Sequence, residues 1–375
     1  MVSLSLRGLT VSHATARRRR TTALEGVSLD IPDGALAVVT GPAGSGKSTL
    51  LRAIAGLDRL DAGAVAFGGA DVTTIPTRQR RVAYLPHPPP ALPPRTVRGQ
   101  IAEALRYAEL DASEVTLRVE AVAQTLGFAA LLDRPPGALA AGDRQRVALA
   151  RVLVRRPDVL LLDEPFADLA PAQRARVRSE ALRLRSTLAI TTLWATADPA
   201  DALPFADLLI VLDAGRLVQA GAAAEVREAP ATSDVALLLD PVLRIIDVGV
   251  HRDGIVLGDS RVTLGSGQRQ ALGSRSDAVL GVPAHALVPD GPTASGVALA
   301  GIVRGRELAG GAHDVAVAVE LGPGHRTDLV ARPDPQRPLI AGEPVALRLD
   351  VGACLLFDRE GRSLHHGRRS AAGDR

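Results

Sequence analysis

The chain has 375 residues, 46% of them hydrophobic and 23% charged, which is a globular composition with room for about two domains of ordinary size. Aromatic residues are only 2%, so Leu, Val and Ala must fill the core, and a single cysteine, Cys354, excludes an intrachain disulfide framework and fits a reducing cytoplasm. A formal net charge of +3 is small for this length and gives no whole-chain case for nucleic-acid binding.

Along residues 1–235, short apolar strands alternate with helical patterns. Strands are expected over 3–9, 27–31, 36–40, 81–85, 159–162, 188–193 and 207–212. Several are continuous apolar runs, as strands buried on both faces should be. The strand at 36–40 runs into Gly41, Pro42, Ala43, Gly44, Ser45, Gly46, Lys47, Ser48 and Thr49, which fit G-x-x-x-x-G-K-[ST], and a helical pattern follows at 50–55. In that context the glycines let backbone N–H groups curl around phosphate oxygens, and the helix N-terminus adds the positive end of its dipole. Lys47 would reach the β- and γ-phosphates, and the Ser48 hydroxyl would ligate Mg²⁺. The competing reading is a glycine-rich turn that binds nothing. Composition argues against it, because of 44 lysines and arginines only Lys47 is a lysine. Where arginine has replaced lysine elsewhere, the survivor marks chemistry that needs a compact ammonium rather than a planar fork.

Farther on, Ile101, Ala104, Leu105 and Ala108 follow helical spacing, as do Val115, Val119, Val122 and Leu126. They define a helical insertion near 97–150 in an α/β domain with a mostly parallel sheet. The apolar run 159–162 ends in Asp163 and Glu164. Alone these could be solvated acids at a strand end. Paired with the phosphate motif, Asp163 reads as holding Mg²⁺ through water and Glu164 as orienting the attacking water. Past Pro241 helical periodicity fades. Val315, Val317, Val319 and Leu321 alternate with other residues, as do Val345, Leu347 and Leu349, which reads as a small β domain over 240–364 with a barrel-like character. The tail 365–375 reads as frayed. The N-terminus lacks a signal-peptide pattern and no apolar run approaches the roughly 20 residues that span a bilayer, so any work at a membrane would go through partners.

Lys47-Ser48-Thr49-Leu50-Leu51-Arg52, Ile54-Ala55-Gly56-Leu57, Gly68-Gly69-Ala70-Asp71-Val72, Arg81-Val82-Ala83, Arg144-Gln145-Arg146-Val147-Ala148-Leu149-Ala150-Arg151 and Asp163-Glu164-Pro165 together resemble an ABC transporter ATPase over residues 1–235. The spacing is most similar to the maltose-importer-type subfamily of carbohydrate importers. That resemblance implies a P-loop NTPase fold with a C-terminal β regulatory domain at 240–364. Gly342-Glu343-Pro344-Val345 and Phe357-Asp358-Arg359-Glu360-Gly361 resemble its ending, while Val282-Pro283-Ala284-His285 departs from the family's Arg-Pro-Glu-His. It further implies ATP and Mg²⁺ as ligands, and an ATPase sandwich with a second copy or a different ABC ATPase. Two membrane permease subunits and, indirectly, a solute-binding protein would be partners at the cytoplasmic face of the cell membrane. No nucleic acid is implied.

The chain departs from the family selectively. The signature Leu-Ser-Gly-Gly-Gln reads Leu139, Ala140, Ala141, Gly142 and Asp143 here. Ala140 lacks the hydroxyl expected to contact γ-phosphate across the dimer, Ala141 puts a methyl where backbone should approach, and Asp143 adds negative charge. The following helix dipole could still favour an anion by about 0.3–1 kcal/mol. Alignment back from Thr96-Val97 puts His87 where the family has a Gln that contacts Mg²⁺, although Mg²⁺ prefers oxygen. His87 lies in a run with six prolines in nine residues, 86–94, read either as a stiff surface loop or as an altered coupling loop. Ala197 stands where the switch His would be, and Ala170 where an Asp would be. His13 is the nearest candidate for the adenine, ahead of arginines 17–20, which read as a solvated face or as a phosphate or lipid contact. Groups that hold MgATP are kept and groups that sense γ-phosphate or partner are altered, so nucleotide binding with weak turnover is expected. The rival expectation is a non-transport regulator that closes on ATP. A nucleic-acid or ribosome role would bring paired ATPase units or long coiled-coil arms, and neither is present in the sequence.

Overall fold

The computed structural model describes residues 2–14, 20–90, 95–188, 190–289, 297–306, 314–322, 325–333 and 339–365. Arginines 17–19, residues 91–94 of the proline run and residues 366–375 of the tail lie outside the described residues. The chain divides into two compact units, Met1–Ala223 and Ala224–Arg375.

In chain order the first unit carries β1 (Leu4–Ala14), β2 (Arg20–Ile31), β3 (Leu36–Thr40), α1 (Lys47–Ala55), β4 (Ala62–Phe67), β5 (Ala70–Asp71), β6 (Val82–Leu85), α2 (Val97–Glu103), α3 (Ala112–Thr125), α4 (Ala141–Leu153), β7 (Val159–Asp163), α5 (Pro171–Leu188), β8 (Thr191–Ala195), β9 (Leu208–Asp213) and β10 (Arg216–Ala222). One sheet runs β10-β9-β3-β8-β7-β6 and is parallel except for its β10 edge. Residues of β3, β7 and β8 are buried throughout, as expected for strands covered on both faces. Ala37, Val39, Leu161, Leu193, Ile210 and Leu212 share a core with Leu50, Leu51 and Ile54 of α1. On the opposite face Leu36, Leu160, Leu162 and Trp194 meet Leu149 and Leu153 of α4 and Leu182 of α5.

The strands expected at 3–9 and 27–31 do not join that sheet. They form β1 and β2 of a separate antiparallel sheet, β2-β1-β4-β5. Their ends are only a few residues apart in sequence, too short for the crossover that parallel pairing needs. The strand expected at 188–193 is Thr191–Ala195, with α5 running through Leu188. The helical spacing through Ala108 overshoots. α2 ends at Glu103, tighter turns follow in which Leu105 N donates to Ala102 O and Ala108 N to Leu105 O, and Ala108 is exposed. β4, β5 and β10 were not legible, being short or built from small and polar residues.

The second unit holds α6 (Ala223–Glu228, entering from the first unit), α7 (Ser233–Leu239), β11 (Arg244–His251), β12 (Gly254–Leu257), β13 (Ser260–Thr263), α8 (Ser266–Leu272), β14 (Asp277–Val282), β15 (Leu287–Pro289), β16 (Val297–Arg306), β17 (Val315–Gly322), β18 (His325–Ala331), β19 (Pro344–Leu349), β20 (Leu355–Phe357) and β21 (Ser363–His365). It is β-rich, as its alternation implies, with two antiparallel sheets, β13-β12-β11-β14-β20-β21 and β15-β19-β16-β17-β18. Both send side chains into one core that includes Ile255, Leu280, Val317, Val319, Leu347 and Leu349. His365, expected in a frayed tail, pairs with Leu356 instead.

Candidate functional site

Parallel strands place their carboxyl ends side by side, where α/β sheets bind ligands. Here β3 delivers Gly41–Thr49, β7 delivers Asp163 and Glu164, β8 delivers Thr196 and Ala197, and β6 delivers Pro86 and His87. The phosphate motif is thus wrapped over the N-terminus of α1, as its sequence context requires.

Two of its glycines are demanded by geometry. Gly41 has φ +148°, and a Cβ there would lie 2.0 Å from Leu212 O. Gly46, at the N-cap of α1, has φ +101°, and a Cβ would lie 2.7 Å from Ala23 O. Lys47 is buried, and its Nζ donates to Gly41 O at 2.8 Å and to Pro42 O at 2.9 Å, so the ammonium is curled inside the loop. Burial pulls its pKa down, while the charges of Glu164 and Asp163 pull it back up. Ser45 Oγ is buried and finds no hydrogen-bond partner among the described residues. A cationic, donor-rich loop with an unsatisfied hydroxyl suits an oxyanion such as a phosphate.

Asp163 accepts a bond on each oxygen. Ser48 Oγ donates to Oδ1 and Tyr84 Oη to Oδ2, both at 3.0 Å. Burial, then the Asp163 charge, pushes the Tyr84 phenol pKa up. Next along the chain, Glu164 sits at φ +43°, a left-handed conformation unusual outside glycine. Its N–H donates to Ala195 O at 2.9 Å, and its Oε1 accepts from the backbone N–H of Ala197 at 2.6 Å. Residue 197 therefore reaches the Glu164 carboxylate through its backbone amide and not through its own side chain. The turn that carries it is held by Thr196 N to Val39 O at 2.9 Å and Asp198 N to Thr196 Oγ1 at 3.1 Å.

The structure brings Lys47, Ser48, Asp163 and Glu164 together. It sets His87 against Asp168 instead, Nδ1 to Oδ2 at 3.8 Å. His13 Nε2 lies 3.4 Å from Thr49 Oγ1, beside the loop. Leu139, Ala140, Ala141, Gly142 and Asp143 open α4, and among the described residues they form no hydrogen bond or ion pair with 41–49. Ala140, the N-cap, makes no side-chain cap bond. Asp143 pairs with buried Arg146, Oδ1 to Nη1 at 2.7 Å, so its added charge is balanced within the helix. Sequence reasoning missed Tyr84 and the Ala197 amide. Tyr84 carried a faint signal, as one of only two tyrosines in the chain, in the strand before the proline run. Backbone donors carry none.

A family model described as ABC transporter matches residues 24–167. The sn-glycerol-3-phosphate import ATP-binding protein of Chromohalobacter salexigens is 36% identical over 342 residues, 91% of this chain and 91% of that protein. Its counterpart in Cereibacter sphaeroides is 35% identical over 368 residues, covering 97% and 100%. The sulfate/thiosulfate import ATP-binding protein of Mycobacterium bovis is 39% identical over 234 residues, covering 62% and 67%. Among solved structures, cbiO1 of Clostridium perfringens, part of an ABC transporter complex, is 26% identical with a TM-score of 0.53, covering 60% of this chain and 89% of that one. An ATP-binding cassette of an ABC transporter in its ADP conformation, 24% identical with a TM-score of 0.55, covers 64% of this chain and 98% of its own and supports the fold alone.

Proposed function

Because the chain belongs to the ABC transporter ATP-binding proteins, we propose that it is the ATP-binding subunit of an importer that binds MgATP at 41–49 and turns it over slowly. One observation carries this reading: the sole lysine is buried inside a glycine loop at a strand end, next to a hydroxyl–carboxylate pair. Lys47 and the loop amides would hold the phosphates. Ser48 and Asp163 offer hard oxygen donors that suit Mg²⁺. No cluster of three or more His, Cys, Asp or Glu side chains that could hold a metal occurs among the described residues, so the remaining ligands would be phosphate oxygens and water. When bound, Mg²⁺ would neutralise charge on the phosphates. Glu164, held by the Ala197 amide, would orient the attacking water.

Turnover is slow in this reading because the side chain at 197 offers no donor to γ-phosphate. Removing one preorganised donor costs about 10²–10³ in rate. Partners would be a second ABC ATPase, the same chain or another, and membrane permeases at the cytoplasmic face. Among the described residues no helix is long and apolar enough to cross a membrane. A groove of about 340 Å³ between Pro89 and Pro90 on one side and Ala141, Gln145 and Ala148 of α4 on the other is a fitting seat for a permease segment. A sugar-type solute is favoured by the subfamily resemblance, and relatives named for import of sn-glycerol-3-phosphate, a polyol phosphate, span nearly the whole chain. The uncapped, alanine-bearing start of α4 favours a second reading, a regulator that closes on ATP with little hydrolysis. Co-purification with a permease would separate the two.

The test is calorimetric titration of ATP and ADP with Mg²⁺, beside steady-state hydrolysis. Lys47→Ala is expected to weaken nucleotide binding roughly tenfold to a hundredfold, the loss of a charge-assisted phosphate contact. Absence of magnesium-dependent affinity in the wild-type chain would remove the proposal. Hydrolysis as fast as in a relative with intact motifs would remove the claim of slow turnover.

A further inference from the structure

The geometry points to Tyr84 as a positioning residue for the magnesium-binding half of the site. This inference rests on the MgATP reading above. Tyr84 lies on β6, in register with Leu161 on β7, two residues before Asp163. Its hydroxyl donates to Asp163 Oδ2 at 3.0 Å, while Ser48 Oγ on α1 takes Oδ1 at the same distance. The carboxylate is thus gripped from two separate elements, one hydroxyl per oxygen.

The direction of these bonds follows from chemistry. A carboxylate oxygen accepts and a phenol carries a proton to give, so the Tyr84 hydroxyl, 3.0 Å from Oδ2, donates to Asp163. The neighbouring guanidinium of Arg52 is tied to Asp58 through Nε at 2.9 Å and Nη2 at 2.8 Å. With Oδ2 occupied, the Asp163 rotamer is locked and Oδ1 stays turned toward Ser48. Partners that orient a ligand in this way commonly change metal affinity by about 10–100-fold when removed.

The experiment titrates ADP into the full-length chain in excess Mg²⁺ and again in EDTA, for wild type and Tyr84→Phe. The readout is the ratio of the two affinities. Tyr84→Phe should leave affinity in EDTA within about twofold and reduce the gain from Mg²⁺ about tenfold. The same variant in a Ser48→Ala background should show a smaller reduction, because the two hydroxyls act on one carboxylate. Thermal melting followed by the fluorescence of Trp194, the only tryptophan, reports whether the variant is folded. A Mg²⁺ gain equal to wild type would overturn the inference. So would an equal loss with and without Mg²⁺, which is what a purely structural tyrosine would give. If the wild-type chain itself shows no Mg²⁺ gain, the MgATP reading falls first, and that outcome is separable because it needs no variant.

Discussion

At the scale of single residues, Glu164 is the strained member of the site. A non-glycine residue at φ +43° carries on the order of 1–3 kcal/mol, and it persists because its neighbours over-determine it. Ala195 O accepts from its N–H, and the Ala197 N–H donates to its carboxylate. The carboxylate is placed, but the side chain at 197 ends at a methyl. Ala197 is exposed on a turn that is itself hydrogen-bonded, so a larger side chain has room and a defined starting point. Ala197→His should raise steady-state ATP hydrolysis by about tenfold or more while leaving nucleotide affinity within about twofold, part of the 10²–10³ that a preorganised donor supplies. Phosphate release measured at saturating ATP checks this. An unchanged rate would move the limitation to the altered start of α4. Lys47, Ser48, Asp163 and Glu164 were legible at this scale because their spacing is the signal. The Ala197 amide was not, since every residue except proline carries the same backbone donor.

At the scale of elements, the helix that presents the phosphate loop ends on a buried cation. Arg80, 5% exposed, donates from Nη1 to Ile54 O at 2.7 Å and Ala53 O at 3.3 Å, from Nε to Ile75 O at 2.8 Å and from Nη2 to Thr73 O at 2.9 Å. It satisfies carbonyls in the last turn of α1 and places positive charge at the negative end of the helix dipole. Arg80→Ala should destabilise the first unit by about 3 kcal/mol, from carbonyls left unpaired in the interior. That corresponds to a fall of roughly 6–12 °C in its thermal midpoint for a unit of this size. A shift under about 2 °C would mean that water replaces the guanidinium at little cost. The strands expected at 36–40, 159–162 and 207–212 were readable because a strand covered on both faces shows as a near-continuous apolar run. β10 and α8 were not, because short polar-rich segments carry too few apolar positions to show a period.

At the scale of the whole molecule, the two units have separate hydrophobic cores, one around Leu50, Ile54, Leu161 and Leu193, the other around Leu280, Val317 and Leu347. Calorimetry should therefore resolve two unfolding transitions. MgADP at about a hundred times its Kd should stabilise only the first unit, by about 2.7 kcal/mol. Trp194 lies in the first unit, so its fluorescence should follow the nucleotide-sensitive transition and ignore the other. A single transition seen equally by both methods would contradict independent cores.

From the sequence by itself came the phosphate loop, the paired acids after an apolar strand, the α/β class of the first part and the β character of the second. Each depends on residues adjacent in the chain or repeating at a short period. The tertiary structure alone decided which distant groups meet: Tyr84 and Ser48 on the two oxygens of Asp163, Arg80 under α1, the amide of residue 197 on Glu164, and His87 against Asp168. These contacts follow from strand order and from how far each strand runs before its chain turns. Neither quantity is written in local spacing, because burial on both faces removes the alternation that would reveal register.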